Sequence, residues 1–308
     1  MPAPDELTLR VPPTPESLRW VESVVGPGAR VASVRRLRGG VSSAVHSLVV
    51  VRDGAARRLV LRRFVRADWL GREPDIASRE AAALRLLEGT DVPAPRLIAV
   101  DEDGSASGVP SVLMTRLRGR IVLAPPDIDS WLRQMAEALG RIHAAQPSST
   151  EMPWTYRPYN DTSSLQVPTW TKRPREWARV LDVARGPAPA AEQHLIHRDY
   201  HPANILWFGG SISGIVDWVN ACRGPAGTDI GHGRRNLALS HGVQVADRFL
   251  DHCLEWAEYD PFWDVMTLTD WLPGGDTYHG WTDLGLDVPV RTVRARADEY
   301  VTSLVRRL

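Results

Sequence analysis

Short hydrophobic runs alternate with polar turn residues along the first third of the chain. Apolar runs with flanking turns predict five strands, over 31–37, 44–51, 58–64, 97–100 and 111–117. Glycine-containing turns join the first three runs, so we expect an antiparallel meander. Helical patterns over 15–25 and 76–88 accompany the strands. The pattern therefore predicts a small first lobe that is rich in β structure.

The rest of the chain follows the longer hydrophobic period of helices. An apolar stripe over 128–145 predicts the first of them. Further helices are predicted over 175–184, 228–240, 245–259, 261–271 and 290–308. The segment 118–120, with glycine between two arginines, separates the two parts. We therefore expect an α+β fold of two lobes, residues 1–118 and 119–308.

Candidate chemistry lies in one stretch of the second part, from His197 to Asn204, and in Asp217 beyond it. Pro202 prevents a regular helix here, so the stretch is predicted to be a loop between strands. Asn204 and Asp217 offer the oxygen ligands that Mg²⁺ prefers. Asp199 can accept a proton from an attacking hydroxyl group. This spacing is typical of kinase-type phosphoryl transfer.

A metal-hydrolase site is the first alternative, with His197, Asp199 and His201 as ligands. Pro202 excludes helical histidine ligands at positions i and i+4, and no other histidine cluster is evident in the sequence to complete the metal's ligands. The spacing therefore favours phosphoryl transfer over metal-dependent hydrolysis.

The sequence His197-Arg-Asp-Tyr-His-Pro-Ala-Asn204, followed by Ile-Val-Asp217-Trp, resembles the aminoglycoside phosphotransferase family. The resemblance implies a two-lobed, protein-kinase-like fold with a small β-rich N-terminal lobe and a larger, mainly helical C-terminal lobe. It also implies transfer of the γ-phosphoryl group of ATP or GTP to a hydroxyl group of a small molecule. Asp199 would be the catalytic base, and Asn204 and Asp217 would bind Mg²⁺.

The same resemblance implies a nucleotide site in the first lobe. Arg62 stands where the family has a lysine that contacts the phosphates, and Glu80 would be its partner. Arginine is a broad planar donor where lysine is a compact charge, so this departure is not neutral. The segments that resemble the nucleotide loop and the approach to the hinge supply the other expected contacts, Gly39, Gly40, Ser42, Ser43 and Met114.

An acidic and aromatic segment, residues 249–290, contains neither lysine nor arginine. Such a surface suits a cationic or sugar-like acceptor through ion pairing and cation–π contact. The candidate acceptor contacts are Asp264, Trp263, Asp270 and Trp271. The alternative is a solvated acidic face whose tryptophans pack in the core.

Composition narrows the class of protein. The formal net charge of zero gives no global attraction to nucleic acid. Two cysteines and the absence of a long apolar run predict a cytoplasmic protein without disulfides or a membrane span. Lys172 is the only lysine. Three alternatives stay open: a metabolite kinase of the choline, homoserine or fructosamine type, a macrolide kinase, and a nucleotide-binding pseudo-enzyme.

Overall fold

A computed structural model describes residues 9–37, 43–272, 281–282 and 284–308. The chain divides into two units. The first comprises Met1–Gly119 and Ser213–Asn220, and the second comprises Arg120–Ile212 and Ala221–Leu308. The segment Ser213–Asn220 thus joins the first unit, although its place in the sequence had assigned it to the second lobe.

A five-stranded antiparallel sheet forms the body of the first unit, in the order β1-β2-β3-β5-β4. Its strands are β1 (Arg30–Arg36), β2 (Ala44–Arg52), β3 (Ala55–Arg63), β4 (Leu97–Asp101) and β5 (Ser111–Thr115). Among the described residues of this unit, three helices accompany the sheet, α1 (Pro15–Val25), α2 (Ala67–Arg72) and α3 (Ile76–Leu86). The predicted meander is confirmed, and α2 is an element that the hydrophobic pattern did not indicate.

Helix α1 and the sheet enclose the core of the first unit. The Thr14 side chain caps α1 by accepting a hydrogen bond from the backbone N–H of Ser17, and Pro15 occupies the first turn. The apolar face of α1 then buries Val21 against Leu48 and other strand residues. Each such buried side chain stabilises the unit by about 1.5–3 kcal/mol relative to its exposed state.

The second unit is mainly helical. Its helices are α4 (Ile128–His143), α5 (Pro174–Ala184), α6 (Ala226–His241), α7 (Val243–Cys253), α8 (Phe262–Trp271) and α9 (Val290–Val305). Its strands are short. They are β6 (Arg120–Ile121), β7 (His194–Ile196), β8 (Ile205–Phe208) and β10 (Cys222–Gly224), with β6 paired to β8 and β7 to β10. Strand β9 (Ser211–Ile215) leads into the segment that belongs to the first unit.

Helix α6 lies at the centre of the second unit, and every residue from Gly227 to Ser240 is buried. Its glycines permit close packing on α8. A Cβ atom at Gly231 would lie 2.7 Å from the carbonyl oxygen of Trp263, closer than real Cβ contacts allow. The backbones of α6 and α8 therefore meet directly. Among the helices of the described residues, none combines the length and apolar character needed to cross a membrane.

The α+β architecture predicted from the sequence is confirmed, with a β-rich first part and a helical second part. One local difference follows β9. The hydrophobic run 212–218 predicts a strand to its end, but the strand stops at Ile215. Asp217 instead has a backbone φ of 72°, which is incompatible with a strand.

Candidate active site

Arg62 occupies an interior position of β3, between Val45 of β2 and Val112 of β5. Its guanidinium contacts three side chains. Nη1 lies 2.8 Å from Oδ1 of Asp217 and 3.2 Å from Oγ of Ser43, and Nε lies 3.2 Å from Oε2 of Glu80. A single arginine therefore links the sheet, helix α3 and the segment that contains Asp217.

Burial and charge oppose one another in this cluster. Burial acts to lower the pKa of Arg62, but Asp217 and Glu80 outweigh it and raise that pKa. Burial raises the pKa of Glu80 to about 7, although the Arg62 charge and the backbone N–H of Trp218 favour the ionised carboxylate. The cluster thus places the Arg62 cation between the carboxyl groups of Asp217 and Glu80, and Glu80 is buried.

Asp217 is the exposed member of the cluster, with 26% of its side chain accessible against 1% for Glu80. Its positive φ is sparsely populated by non-glycine residues and is a form of backbone strain that occurs at functional sites. A partly exposed carboxylate is a suitable ligand for Mg²⁺, which binds one or two protein oxygens and retains water and phosphate oxygens. The donor chemistry at Asp217 therefore fits the predicted ion.

Three of the predicted nucleotide contacts, Gly39, Gly40 and Ser42, lie outside the described residues. Ser43 is buried and accepts the hydrogen bond from Arg62. Met114 lies on β5, where it is 5% exposed and paired with Val60 and Leu97. The structure therefore places Ser43 in the cluster around Arg62 and places Met114 in the sheet.

Asp199 lies in the second unit, in the loop between β7 and β8. Asn204 donates through Nδ2 to the backbone oxygen of Asp199 at 2.9 Å and to its Oδ2 at 3.0 Å. Nε2 of His232 lies 3.0 Å from Oδ1, and Nε2 of His201 lies 3.6 Å from the same atom. Burial alone would raise the pKa of Asp199, but the two histidines hold it well below its usual range.

Exposure distinguishes Asp199 from the groups that hold it. Its side chain is 30% exposed, whereas those of His201 and His232 are 4% and 6% exposed. Because Nδ2 of Asn204 is used in binding Asp199, its amide oxygen is the atom that can bind a cation. The loop thus presents one ionised, accessible carboxylate that can accept a hydrogen bond or a proton from a hydroxyl group.

His232 is the residue that the sequence analysis missed. Burial, together with Arg235, lowers its pKa to about 3, so the imidazole is neutral at neutral pH. The prediction that no other histidine complements Asp199 and His201 was wrong, because ligand atoms of Asp199, His201 and His232 lie within 4.8 Å of one another. However, Nε2 of His232 also lies 3.0 Å from the Arg235 guanidinium. The positive charge of Arg235 disfavours a metal ion at this position. His201 and His232 therefore hold the Asp199 carboxylate in place instead of binding a metal.

Asp229 of α6 holds the backbone of the same loop. Its Oδ2 and Oδ1 accept hydrogen bonds from the backbone N–H groups of His197 and Arg198, both at 2.7 Å. Nε2 of His143 lies 3.0 Å from Oδ2. Burial acts to raise the pKa of Asp229, yet these donors keep it below its usual value. Arg198 has a φ of 69°, and the two bonds hold this strained backbone in place.

Asp270 is one of the predicted acceptor contacts, and it is paired with Arg198. Oδ2 lies 2.9 Å from Nη1 of Arg198, and Oδ1 accepts the backbone N–H of Tyr159 at 3.1 Å. The guanidinium also lies over the Tyr159 ring, 3.9 Å from its centroid. Only 3% of the Asp270 side chain is exposed, so its carboxylate links α8 to the loop and is not available to solvent.

The structure places Asp264 in the core of the second unit. Its completely buried carboxylate contacts Arg234 of α6 and accepts a hydrogen bond of 2.7 Å from the Tyr300 hydroxyl. Trp263 is 4% exposed. Trp271 is half-buried and makes an edge contact with Trp170, with ring centroids 6.2 Å apart. The carboxylates of Asp264 and Asp270 and the ring of Trp263 are therefore all buried, whereas the alternative prediction combined buried tryptophans with a solvated acidic face.

Comparisons with known proteins bear on the class of the site. The family model described as "Phosphotransferase enzyme family" matches residues 33–262. A thermostable variant of the aminoglycoside phosphotransferase APH(4)-Ia, solved as a ternary complex with ADP and hygromycin B, has a TM-score of 0.58 and 18% identity. The comparison covers 90% of this chain and 94% of that one. This structural likeness shows a shared fold.

Two curated relatives are similar in sequence over part of their length. The homoserine kinase of Pseudomonas aeruginosa (strain LESB58) is 28% identical over 160 residues, which cover 46% of this chain and 47% of that protein. The mouse "Acyl-CoA dehydrogenase family member 10" is 26% identical over 215 residues, which cover 64% of this chain and 20% of that protein. The chain thus matches half or less of the length of these relatives.

Proposed function

Because the chain belongs to the phosphotransferase enzyme family, we propose that it transfers the γ-phosphoryl group of ATP or GTP to a hydroxyl group of a small molecule. The observation that carries this proposal is the Asp199 carboxylate, which is both ionised and accessible. Catalysis of phosphoryl transfer consists mainly of positioning and charge stabilisation. A carboxylate held by His232 and Asn204 supplies the positioning.

Asp199 is proposed to orient the acceptor hydroxyl and to take its proton as the bond to phosphorus forms. Its low pKa keeps the carboxylate ionised at neutral pH, so it can accept a hydrogen bond from the acceptor hydroxyl group. In a loose transition state the nucleophile needs little activation, so orientation is the larger contribution. The bonds from Asn204 and His232 restrict the carboxylate to one direction.

The nucleotide is proposed to use the first unit, with Arg62 as the phosphate contact and Glu80 as its partner. Asp217 and Asn204 are the proposed ligands of Mg²⁺, which when bound neutralises charge on the phosphate oxygens. A guanidinium that already contacts Asp217 and Ser43 is fixed in orientation, so it loses little side-chain freedom on binding phosphate. The ADP in the APH(4)-Ia complex supports nucleotide use.

The acceptor is proposed to be a cationic amino sugar or a related molecule. Support comes from the hygromycin B bound in the APH(4)-Ia complex. A homoserine-type acceptor is the second candidate, and the sequence similarity to homoserine kinase favours it. The remaining alternative is a pseudo-enzyme that binds nucleotide without transferring phosphate, and the following experiment distinguishes it from an active enzyme.

The test is release of nucleoside diphosphate with ATP or GTP, Mg²⁺ and a panel of aminoglycosides, macrolides, homoserine, choline and sugars. We expect turnover with at least one acceptor, and we expect Asp199→Asn to lower kcat by about 10²–10⁴-fold, the usual contribution of a general base. Nucleotide binding by the variant should persist, because Asp199 is not a proposed nucleotide contact.

Asp182→Asn is the matched control, since this carboxylate is exposed and pairs with Arg185 at the surface. It should turn over like the wild type. Wild-type turnover by Asp199→Asn would contradict the role of the base. Nucleotide binding without turnover on any acceptor would favour the pseudo-enzyme.

A further inference from the structure

Tyr159 is an exposed aromatic residue of the second unit, in the segment between α4 and α5. It is 52% exposed, whereas the side chains of the predicted acceptor contacts Asp264, Trp263 and Asp270 are buried. An accessible aromatic ring offers apolar contact area that a small molecule can cover. Of these four residues, Tyr159 is therefore the one that an acceptor can reach from solvent.

One face of the Tyr159 ring lies against the Arg198 guanidinium. The Cζ atom of Arg198 is 3.9 Å from the centroid of this ring and 4.6 Å from that of the Tyr156 ring. Arg198 is buried and paired with Asp270 at 2.9 Å, which fixes its position. Because Arg198 immediately precedes Asp199 in the chain, the Tyr159 ring is held beside the loop that carries the proposed base.

Two hydrogen bonds fix the backbone around the ring. The Tyr159 N–H donates to Oδ1 of Asp270 at 3.1 Å, and Nδ2 of Asn160 donates to the backbone oxygen of Thr269 at 3.1 Å. The aromatic face is thus ordered before a ligand arrives. A ligand that covers the face therefore does not have to immobilise a flexible side chain, which is one of the main costs of binding.

The Tyr159 hydroxyl group lies within electrostatic reach of the proposed base. Burial raises the pKa of this hydroxyl group, Arg198 acts to lower it, and the charge of Asp199 adds to the rise. The Asp199 side chain is itself 30% exposed. An exposed aromatic residue and an accessible carboxylate are therefore close enough for one small molecule to contact both.

Arg198 also limits what the outer face of the Tyr159 ring can bind. A cation is attracted to an aromatic face by the ring quadrupole, and Arg198 already uses one face. A second cation on the other face would be repelled by the guanidinium behind the ring. The C–H face of a sugar ring carries no net charge and gains dispersion contacts on an aromatic ring. The outer face of Tyr159 therefore favours a sugar ring over an ammonium group.

We propose that Tyr159 is a specificity-determining residue, on which the acceptor places the C–H face of a sugar ring while its hydroxyl group reaches Asp199. This inference rests on the proposed phosphotransferase function and deepens it, because it favours a cyclic amino sugar over the linear homoserine. The amino groups of the sugar would lie away from the Tyr159 ring. Choline is disfavoured twice, since it has no ring face and presents a cation.

The test measures binding to the full chain in the absence of nucleotide, with glucosamine as the cyclic probe and homoserine as the linear probe. Saturation-transfer NMR identifies the ligand protons that contact the protein, and titration gives the dissociation constants. We expect glucosamine to bind at one saturable site, more tightly than homoserine, with the largest transfer at its ring C–H protons. Tyr159→Ala should weaken glucosamine binding about tenfold, the loss typical of one aromatic contact. Tyr159→Phe, which keeps the ring, should retain most of the affinity.

Phe208→Ala is the matched control, because Phe208 of β8 is an aromatic residue of similar exposure, 54%. It should bind glucosamine like the wild type. Tyr159→Leu still covers Arg198 with an apolar side chain, so it provides a folded variant if Tyr159→Ala unfolds. It should also bind glucosamine more weakly than the wild type, since it lacks the flat face.

Three results would overturn the inference: no glucosamine binding by the wild type, tighter binding of homoserine, or wild-type affinity in the folded Tyr159→Ala or Tyr159→Leu variant. Failure of the proposed function has a different signature. Glucosamine binding that depends on Tyr159, without phosphate transfer to any acceptor, would support the sugar contact and contradict the phosphotransferase reaction.

Discussion

Among single residues, His232 has the clearest consequence for the reaction. It holds the Asp199 carboxylate from a helix, and a hydrogen bond to a charged group contributes about 1.5–3 kcal/mol. We predict that His232→Ala lowers kcat by about 10- to 100-fold and leaves the KM for nucleotide unchanged. His232→Gln, which keeps a donor, should recover part of the loss. Steady-state kinetics measures kcat and the nucleotide KM of both variants.

His252→Ala is the control for this variant, because His252 is a partly exposed residue of α7 that contacts Glu255. Its kcat should match that of the wild type. If His232→Ala kept full kcat, the imidazole would be a packing residue and not a positioning residue. A rise in the nucleotide KM with kcat intact would lead to the same conclusion.

The residues of the site differ in how far the sequence could reveal them. Asp199 and Asn204 lie five positions apart on one loop, so their spacing alone predicted that they act together, and in the structure Asn204 donates to Asp199. His232 reaches Asp199 from 33 positions later, through the packing of a helix that local patterns do not describe. Asp264 was predicted as an acceptor contact because residues 249–290 contain no lysine or arginine, but its partner, Arg234, lies outside that segment on a different helix. Charge pairing across helices is a tertiary property.

Among the elements, strand β2 carries a buried histidine that makes stability depend on pH. Burial, together with Arg63 and Arg36, lowers the pKa of His46 to about 4, against about 6.5 when unfolded. The unfolded chain therefore takes up a proton first as pH falls, and folding stability declines between these two values. From pH 7 to pH 5 the loss from His46 is about 2 kcal/mol.

We predict that His46→Gln is less sensitive to acid than the wild type by that amount. Urea unfolding at pH 7 and pH 5 measures the difference. His252→Gln, at a partly exposed position, should keep the wild-type dependence. Equal acid sensitivity of His46→Gln and the wild type would mean that His46 is protonated in the folded protein.

Helices α6 and α8 depend on a glycine at their contact. Gly231→Ala would bring a methyl group against the carbonyl of Trp263, and the fully buried α6 has no free space to shift into. We predict a destabilisation of about 1–3 kcal/mol in urea unfolding, typical of an overpacked core. Gly71→Ala in α2 is the matched control, since nothing lies within 4 Å of its added Cβ. Helix propensity should make that change neutral or stabilising by up to about 1 kcal/mol.

A neutral Gly231→Ala would show that the two helices separate easily.

The elements themselves were largely evident in the sequence, because α4 and α5 each bury one apolar stripe. Helix α6 was harder to interpret, since all its faces are buried and include charged residues such as Arg234. Short elements such as α2 have too few residues for a periodic pattern to appear.

At the scale of the whole molecule, the chain passes between units more than once. Ser213–Asn220 belongs to the first unit, although the residues on both sides belong to the second. We predict that backbone amides of 213–220 lose protection together with those of β2 and β3 when urea is added. Hydrogen exchange followed by mass spectrometry measures this, and 205–212 should follow the second unit instead. Loss of protection by 205–220 in a single step would contradict the division.

That division also explains what the order of the sequence could not show. A boundary near residue 119 was expected and is one end of the first unit, but the return of 213–220 to that unit depends on contacts between distant parts of the chain. The hydrogen bond from the Ile215 backbone to the Pro93 carbonyl is one such contact, and it joins residues more than a hundred positions apart. Hydrophobic periodicity does not predict contacts between residues this far apart in the sequence.

Arg62 has a consequence for covalent labelling. Many nucleotide-directed reagents acylate the amine of a lysine beside the phosphates, but a guanidinium that stays protonated at all working pH values is a poor nucleophile. The chain offers such reagents one amine side chain, Lys172, in the second unit. Amine-reactive nucleotide probes should therefore not label Arg62, the proposed phosphate contact. If the proposed nucleotide site is correct, a screen that identifies nucleotide-binding proteins by lysine acylation would fail to detect this chain.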